Sequence, residues 1–338
     1  MLKRGQLSVN ITKSKCANIS NKNRDMNTMW PNCFLVGAMK SGTTSIARAL
    51  DSHPQVFLCP VKEPNYFCSD LYEYGLGIGF QKSHDVLKRI RRGEFIHSAY
   101  IHDRDSYLAL FEGSSSSRAV VECSTTYLYS QTAATNIFSV NPASKIIIIL
   151  RNPIFRAYSE FLMNCNIGTV KGSFSQALEL EERDLKAGRV PIYHRYVTAG
   201  LYWKQVERYL KVFGNDHVLV LRFEEIHDNF NSLMERIWGF LNLPSNPVSN
   251  EIKENVAMFP KVEGLNYWLA STGLKKFIRR EVPKKLKTVA KRFYYRKPPA
   301  VLQLTENDKK HLKKIFEPDI ERLSKLLEVD LSDWLNCC

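Results

Sequence analysis

Residues 33–44, CFLVGAMKSGTT, constrain the fold of this chain more than any other stretch: an apolar strand runs into a Gly, Lys and Ser/Thr loop that opens directly into a helix. Gly37 and Gly42 permit a tight turn and a close approach of the backbone to an anion. The amides from Lys40 to Thr44 stand where a helix N-terminus would direct them at it. The loop is not a Walker A loop. That motif places Lys directly after the second Gly of G-x-x-x-x-G-K-[ST], whereas here Lys40 precedes Gly42, and Thr43 and Thr44 follow. The inverted order points away from ordinary ATP chemistry.

The rest of the chain supplies partners for this unit. Apolar runs at 33–36, 56–58, 119–122, 146–150 and 218–222 alternate with helix-like segments at 43–51, 155–164, 173–186, 201–213, 225–241 and 306–327. This alternation predicts an α/β fold, P-loop-like and three-layered, with a central, mostly parallel sheet flanked by helices. A chain of 338 residues with 44% hydrophobic content can bury such a core as one domain over 33–338. The first 32 residues, rich in Asn, Lys and Ser, read as a disordered tail without the apolar centre of a signal peptide. The longest aliphatic run, 146–150, is far too short to span a membrane, so a soluble, cytoplasmic chain is expected, with peripheral membrane attachment as the alternative. Eight cysteines (Cys16, Cys33, Cys59, Cys68, Cys123, Cys165, Cys337 and Cys338) form no C-x-x-C pair, which argues for free thiols and against a metal site.

In parallel sheets ligands bind beyond the carboxyl ends of the strands. Those ends carry the Lys40 loop, Lys62-Glu63-Pro64, Glu122-Cys123-Ser124-Thr125-Thr126, and Arg151-Asn152-Pro153 followed by a helix bearing Arg156 and Ser159. The run IIIIL leads into Arg151, where a Walker B strand would offer Asp to magnesium. A guanidinium at a strand tip, with a hydroxyl eight residues later, can clamp a second phosphate. Alone, Arg151 would read as a sheet-capping side chain paired with a carboxylate. Beside the Lys40 loop, the phosphate role is favoured.

FLVGAMKSGTT together with IIIILRNPIFRAYS resembles the two cofactor signatures of the sulfotransferase superfamily, which uses 3′-phosphoadenosine 5′-phosphosulfate (PAPS) and releases 3′,5′-adenosine bisphosphate (PAP). HPQVFLCPVKEPNYF and VECSTTYLY resemble the heparan sulfate and bacterial carbohydrate sulfotransferase branch, and AGLYWKQVERYLKVFGNDHVLVLRFEEI resembles the continuation of that fold. The resemblance implies that Lys40, Ser41, Gly42, Thr43 and Thr44 hold the 5′-phosphosulfate, and that Arg151 and Ser159 hold the 3′-phosphate. Lys261 falls where a late loop would close over the cofactor. Glu63 occupies the family position of the general base, with Lys40 stabilising the leaving group and no metal required. An ionised carboxylate can accept the acceptor's proton, and partial desolvation raises its basicity. The plainer reading of Glu63 is a surface carboxylate paired with Lys62. His53 is the competing base, although its place before Pro54 at a helix end suits a structural role. One departure stands out: heparan sulfate enzymes carry Glu-Lys-[Ser/Thr]-Pro where this chain has Glu122-Cys123-Ser124-Thr125, so a second active-site Lys is missing. Glu122 would then orient the acceptor or a neighbouring cation.

The implied acceptor is a hydroxyl on a carbohydrate or glycolipid. Two other readings stay open: a nucleotide or small-molecule kinase, and a non-catalytic protein that binds anionic polymers or nucleic acid. The second draws on a net charge of +14 and on residues 275–297, where eleven Lys/Arg face one Glu. Phe277, Ile278, Leu286, Val289 and Phe293 interleave that run, as in a basic amphipathic helix. The expected role is to collect an anionic acceptor or dock at an anionic membrane, with no nucleic acid bound. Neutralising Lys284, Lys285, Lys287, Lys291 and Arg292 should therefore raise acceptor KM mainly at low ionic strength, since screening acts within about 8 Å at physiological salt. Donor affinity should stay constant across the same salt series. Tight duplex DNA binding without sulfuryl transfer would favour the polymer-binding reading.

Overall fold

The apolar runs that lack polar alternation become the strands of one sheet, as burial on both faces demands. In the computed structural model, which describes residues 30–71, 83–94, 96–189, 194–247, 259–260, 269, 272, 295–296 and 303–336, these are β1 (Cys33–Gly37), β2 (Val56–Leu58), β5 (Ala119–Cys123), β6 (Lys145–Leu150) and β7 (Val218–Arg222). Their spatial order is β2-β5-β1-β6-β7, and every pairing is parallel. This is the expected α/β architecture, P-loop-like, with a parallel sheet flanked by helices. β1 lies at the centre with all five residues buried. The chain moves to β5 on one side of it and to β6 on the other, so the loop after β1 opens at the switch point where such sheets hold ligands. A register shift against β6 between Leu35 and Gly37 marks the point where β1 leaves the ladder.

Contacts divide the chain into two compact units. The first comprises the described residues of Met1–Arg151 and Lys204–Glu251. It holds the sheet, α1 (Thr43–Asp51), α2 (Ser83–Arg91), α3 (Arg104–Leu108), α4 (Ala133–Val140) and a second parallel pair, β3 (Val61–Glu63) with β4 (Ile96–Ser98). That pair was not expected from the sequence, because VKE and IHS hold no apolar run of the kind that marks the buried strands. α7 (Tyr202–Phe213) enters this unit from Lys204 onward. The expected helix at 225–241 is broken into α8 (Glu225–Asp228) and α9 (Phe230–Phe240). Asn229 is the cause: its backbone leaves the helical region at φ −156°, and its side chain accepts the Ser232 amide at 3.0 Å, capping α9. The tail boundary also moves. Trp30 packs its ring 5.6 Å from Tyr107, and Asn32 donates its amide to Val120 O and accepts from the Lys145 amide. Both belong to the folded unit, while residues 1–29 lie outside those described.

The second unit comprises the described residues of Asn152–Trp203 and Ile252–Cys338. Asn152 caps α5 (Pro153–Ile167) by accepting the Ile154 amide, with Pro153 preset at the first helical position. Capping boxes open α6 (Phe174–Lys186) at Ser173 and Gln176, and α10 (Glu306–Leu327) at Thr305 and Asp308. Arg156, fully buried on α5, pairs with Glu160 at 2.7 Å and donates to the carbonyls of Arg195 and Tyr196. It therefore braces the chain entering α7. Phe259–Pro260 (β8) and Tyr295–Arg296 (β9) pair antiparallel. The remainder of the basic segment, Lys261, Cys16, Cys337 and Cys338 lie outside the described residues. Among those described, Cys33, Cys59, Cys68, Cys123 and Cys165 are free and buried, and no helix is long and apolar enough to cross a membrane.

Candidate active site

The loop from β1 to α1 has the backbone of an anion cradle. Lys40 takes φ 70° and Gly42 φ 76°, two left-handed residues within one turn. Glycine is required at 42 on both counts, since a methyl group there would meet Ile226 Cδ1 at 2.6 Å and the Phe223 ring at 3.0 Å. No side chain caps α1. The Ser45 amide closes the first turn on Gly42 O at 2.9 Å, and the Thr43 and Thr44 amides make no hydrogen bond among the described residues, which leaves these two for a ligand. Ser41 is fully buried and its Oγ has no hydrogen-bond partner among the described residues, a hydroxyl in the wall of the loop that a phosphate or sulfate oxygen fits as the acceptor. The expectation that every amide from Lys40 to Thr44 points outward is corrected at one position. The Ser41 amide donates to Ala38 O at 3.2 Å and so stabilises the turn itself.

Arg151, at the end of β6, donates from Nη1 to the Lys40 carbonyl at 3.1 Å. Its guanidinium lies 4.4 Å from the centroid of the Phe223 ring. Phe223 follows β7, so one aromatic ring touches both Gly42's surroundings and Arg151 and holds the two cationic strand ends in fixed relation. Sequence reasoning found Arg151 but not this partner, 72 residues away. Ser159, half-buried on α5, belongs to the second unit.

Glu63 ends β3, with its side chain only 15% exposed. Lys62 Nζ pairs with its Oε1 at 2.9 Å, and Thr125 Oγ1 donates to the same oxygen at 3.1 Å. Both contacts fall on Oε1, which leaves Oε2 without a hydrogen bond among the described residues. The Lys62 pair anticipated by the plainer reading is therefore present, yet it occupies one oxygen and leaves the other for a hydroxyl. The segment after β5 connects this carboxylate to the cradle. Thr125 reaches Glu63, while Leu128 donates its amide to Val36 O at 2.9 Å and lies so close to Gly37 that a Cβ there would sit 2.6 Å from Leu128 Cβ. His53 is excluded as the base by its surroundings. It is buried against Trp238, its Nδ1 accepts the Gln55 amide at 3.0 Å, and Nε2 is thereby left to donate to Pro244 O at 3.1 Å.

A family model for the sulfotransferase domain matches residues 31–288, well over half of the chain. The chain belongs to the sulfotransferase family. This sulfotransferase is 24% identical over 245 residues to carbohydrate sulfotransferase 15 of Mus musculus, covering 63% of the present chain and 44% of that protein. It is 23% identical over 220 residues to heparan sulfate glucosamine 3-O-sulfotransferase 5 of Homo sapiens, covering 65% of the present chain and 56% of the relative. The chain thus spans about half the length of these curated relatives. The crystal structure of a sulfotransferase from Alicyclobacillus acidocaldarius superposes with a TM-score of 0.64 at 27% identity, over 90% of this chain and 99% of that one.

Several contacts of the candidate site lay beyond sequence reasoning. Asn65, buried at φ 53°, donates from its side chain to Glu63 O at 3.0 Å and to Ala99 O at 2.9 Å, fixing the turn after Glu63. An Asn directly after Glu-Pro is a fair signal for such a turn, because Asn tolerates the left-handed region better than other non-glycine residues. Glu122 corrects an expectation. It points to no acceptor or cation but is fully buried, receiving hydroxyls from Tyr107, Tyr127 and Ser124.

Proposed function

We propose that this sulfotransferase transfers a sulfuryl group from PAPS to a hydroxyl of a carbohydrate or glycolipid, with Lys40 and Glu63 as its catalytic residues. The observation that carries the reading is the segment 124–128, hydrogen-bonded to Glu63 at one end and to β1 below the cradle at the other. It ties a carboxylate with one open oxygen to a strand end that presents Lys40. PAPS, when bound, supplies a sulfuryl group on a phosphate leaving group. The residues of this chain do the rest. The α1 amides and the Ser41 hydroxyl fit the anionic end of the donor, and the Lys40 ammonium stabilises charge as it develops on a leaving oxygen. Glu63 Oε2 accepts the proton of the attacking hydroxyl. The relatives' names, a carbohydrate sulfotransferase and a heparan sulfate glucosamine 3-O-sulfotransferase, support a sugar hydroxyl as acceptor.

Arg151, held against the cradle, is proposed to recognise the 3′-phosphate that separates PAPS from ordinary adenylates. The native protein should bind PAP much more tightly than 5′-AMP. A charge-assisted contact contributes about 1.5–3 kcal/mol, so Arg151→Ala should lose roughly tenfold or more of that preference. Thermal shift with PAP, 5′-AMP and ATP plus magnesium measures it, because a ligand selective for the native state raises apparent stability. Equal affinity for PAP and 5′-AMP, or a preference for ATP, would return the kinase reading. Transfer of radiolabelled sulfur from PAPS to desulfated heparan sulfate or to a neutral glycolipid tests the acceptor class.

A further inference from the structure

Reading Glu63 as the base leaves Glu122 without a task, although burying a carboxylate inside a parallel sheet is costly unless its lone pairs are all used. Glu122 is the fourth residue of β5 and is fully buried. Its Oε2 accepts from Tyr107 Oη at 2.7 Å and Tyr127 Oη at 2.9 Å, and its Oε1 accepts from Ser124 Oγ at 2.6 Å. A hydroxyl has one proton to give. Because Ser124 spends it on Glu122, the serine oxygen is left as an acceptor, and it takes the Asn65 amide at 3.1 Å. Asn65 in turn holds Glu63 O, Ser98 Oγ and Ala99 O, and its side-chain oxygen accepts from Thr126 Oγ1. The residue between, Thr125, donates to Glu63 Oε1.

We propose that Glu122 is a positioning residue for Glu63: through Ser124 it orients the one hydroxyl that locks the Asn65 turn and the 124–126 segment, which together aim the Glu63 carboxylate. This rests on Glu63 being the base. An apolar residue at 122 would free the Ser124 hydroxyl to turn, and the lone pair that receives the Asn65 amide would no longer be held in place. The ionisable groups around Glu122 are Tyr107, Tyr127, Tyr209, Cys59, Cys68 and Cys123, with Glu63 and Lys62 beyond them on β3. Burial pushes the Glu122 carboxyl up to about 7, against the lowering effect of its three hydroxyl donors, and the negative charge of Glu63 adds to the rise. Positioning is therefore pH-sensitive, since a protonated Glu122 has a donor of its own and competes with the hydroxyls it otherwise receives.

The test uses the full chain with radiolabelled PAPS and desulfated heparan sulfate, reading kcat, KM, PAP affinity, melting temperature and the pH profile of kcat. Glu122→Gln, Ser124→Ala and Thr125→Val should each lower kcat on the order of tenfold with PAP affinity unchanged, and Thr125→Ser should restore it. The native profile should show an inflection near neutral pH that Glu122→Gln lacks. Should Glu122→Gln fail to fold, Ser124→Ala and the Thr125 pair decide the matter. Native kcat and an unaltered profile in these variants, with Glu63→Gln inactive, would overturn the proposal and leave the base in place. A loss of kcat that tracks melting temperature without any change of profile overturns it too, because a scaffold role predicts that pattern. Native turnover in Glu63→Gln removes the base and the proposal with it.

Discussion

Lys40→Ala is expected to lower kcat by roughly 10²- to 10³-fold and to weaken PAP binding as well, the largest single effect anticipated for this protein. Lys40 sits at φ 70° and its carbonyl anchors Arg151, so alanine at 40 keeps that carbonyl and removes only the ammonium. What is lost is the positive charge of a residue in the loop that leads into α1, where a leaving phosphate would gain negative charge. Because that charge grows as the reaction proceeds, the transition state should lose more than the ground state, and kcat should fall further than donor affinity. Single-turnover transfer from radiolabelled PAPS, beside calorimetric titration with PAP, separates the two. A variant with native kcat and only a raised donor KM would assign Lys40 to binding alone.

Glu63→Gln should retain PAP affinity while losing on the order of 10²-fold or more in kcat. Glutamine preserves the shape, and its carbonyl oxygen can still accept from Lys62 and Thr125, as Oε1 does now. The group facing the acceptor becomes an amide that cannot take a proton. Native turnover with an unchanged profile would move the base elsewhere, and His53 would not inherit the role, because both of its ring nitrogens are already engaged. Thr125→Val probes the same carboxylate from the other side. Losing that donor should lower kcat on the order of tenfold while PAP affinity stays unchanged.

These expectations draw on two kinds of information. The sequence by itself determined the five strands of the sheet, since a run such as IIIIL or CFLVG has no polar face and can only be buried on both sides. It also determined the cradle, because the Gly and Lys positions around the start of α1 act within a few residues of one another. Lys40, Glu63 and Arg151 were legible as strand-end residues for the same local reason. Tertiary structure decided which ends meet. The order β2-β5-β1-β6-β7 brings Arg151 to the Lys40 carbonyl across 111 positions, and the packing of β3 against β5 brings Thr125 to Glu63 across 62. No propensity or spacing encodes such pairings, which depend on how whole elements pack. Packing likewise set Phe223 between Gly42 and Arg151, occupied both nitrogens of His53, and gave Glu122 three hydroxyl partners in place of a ligand. A polar side chain shows its chemistry in the sequence, but its partner is fixed only when distant segments close around it, because an unpaired polar group in the interior is too costly to leave.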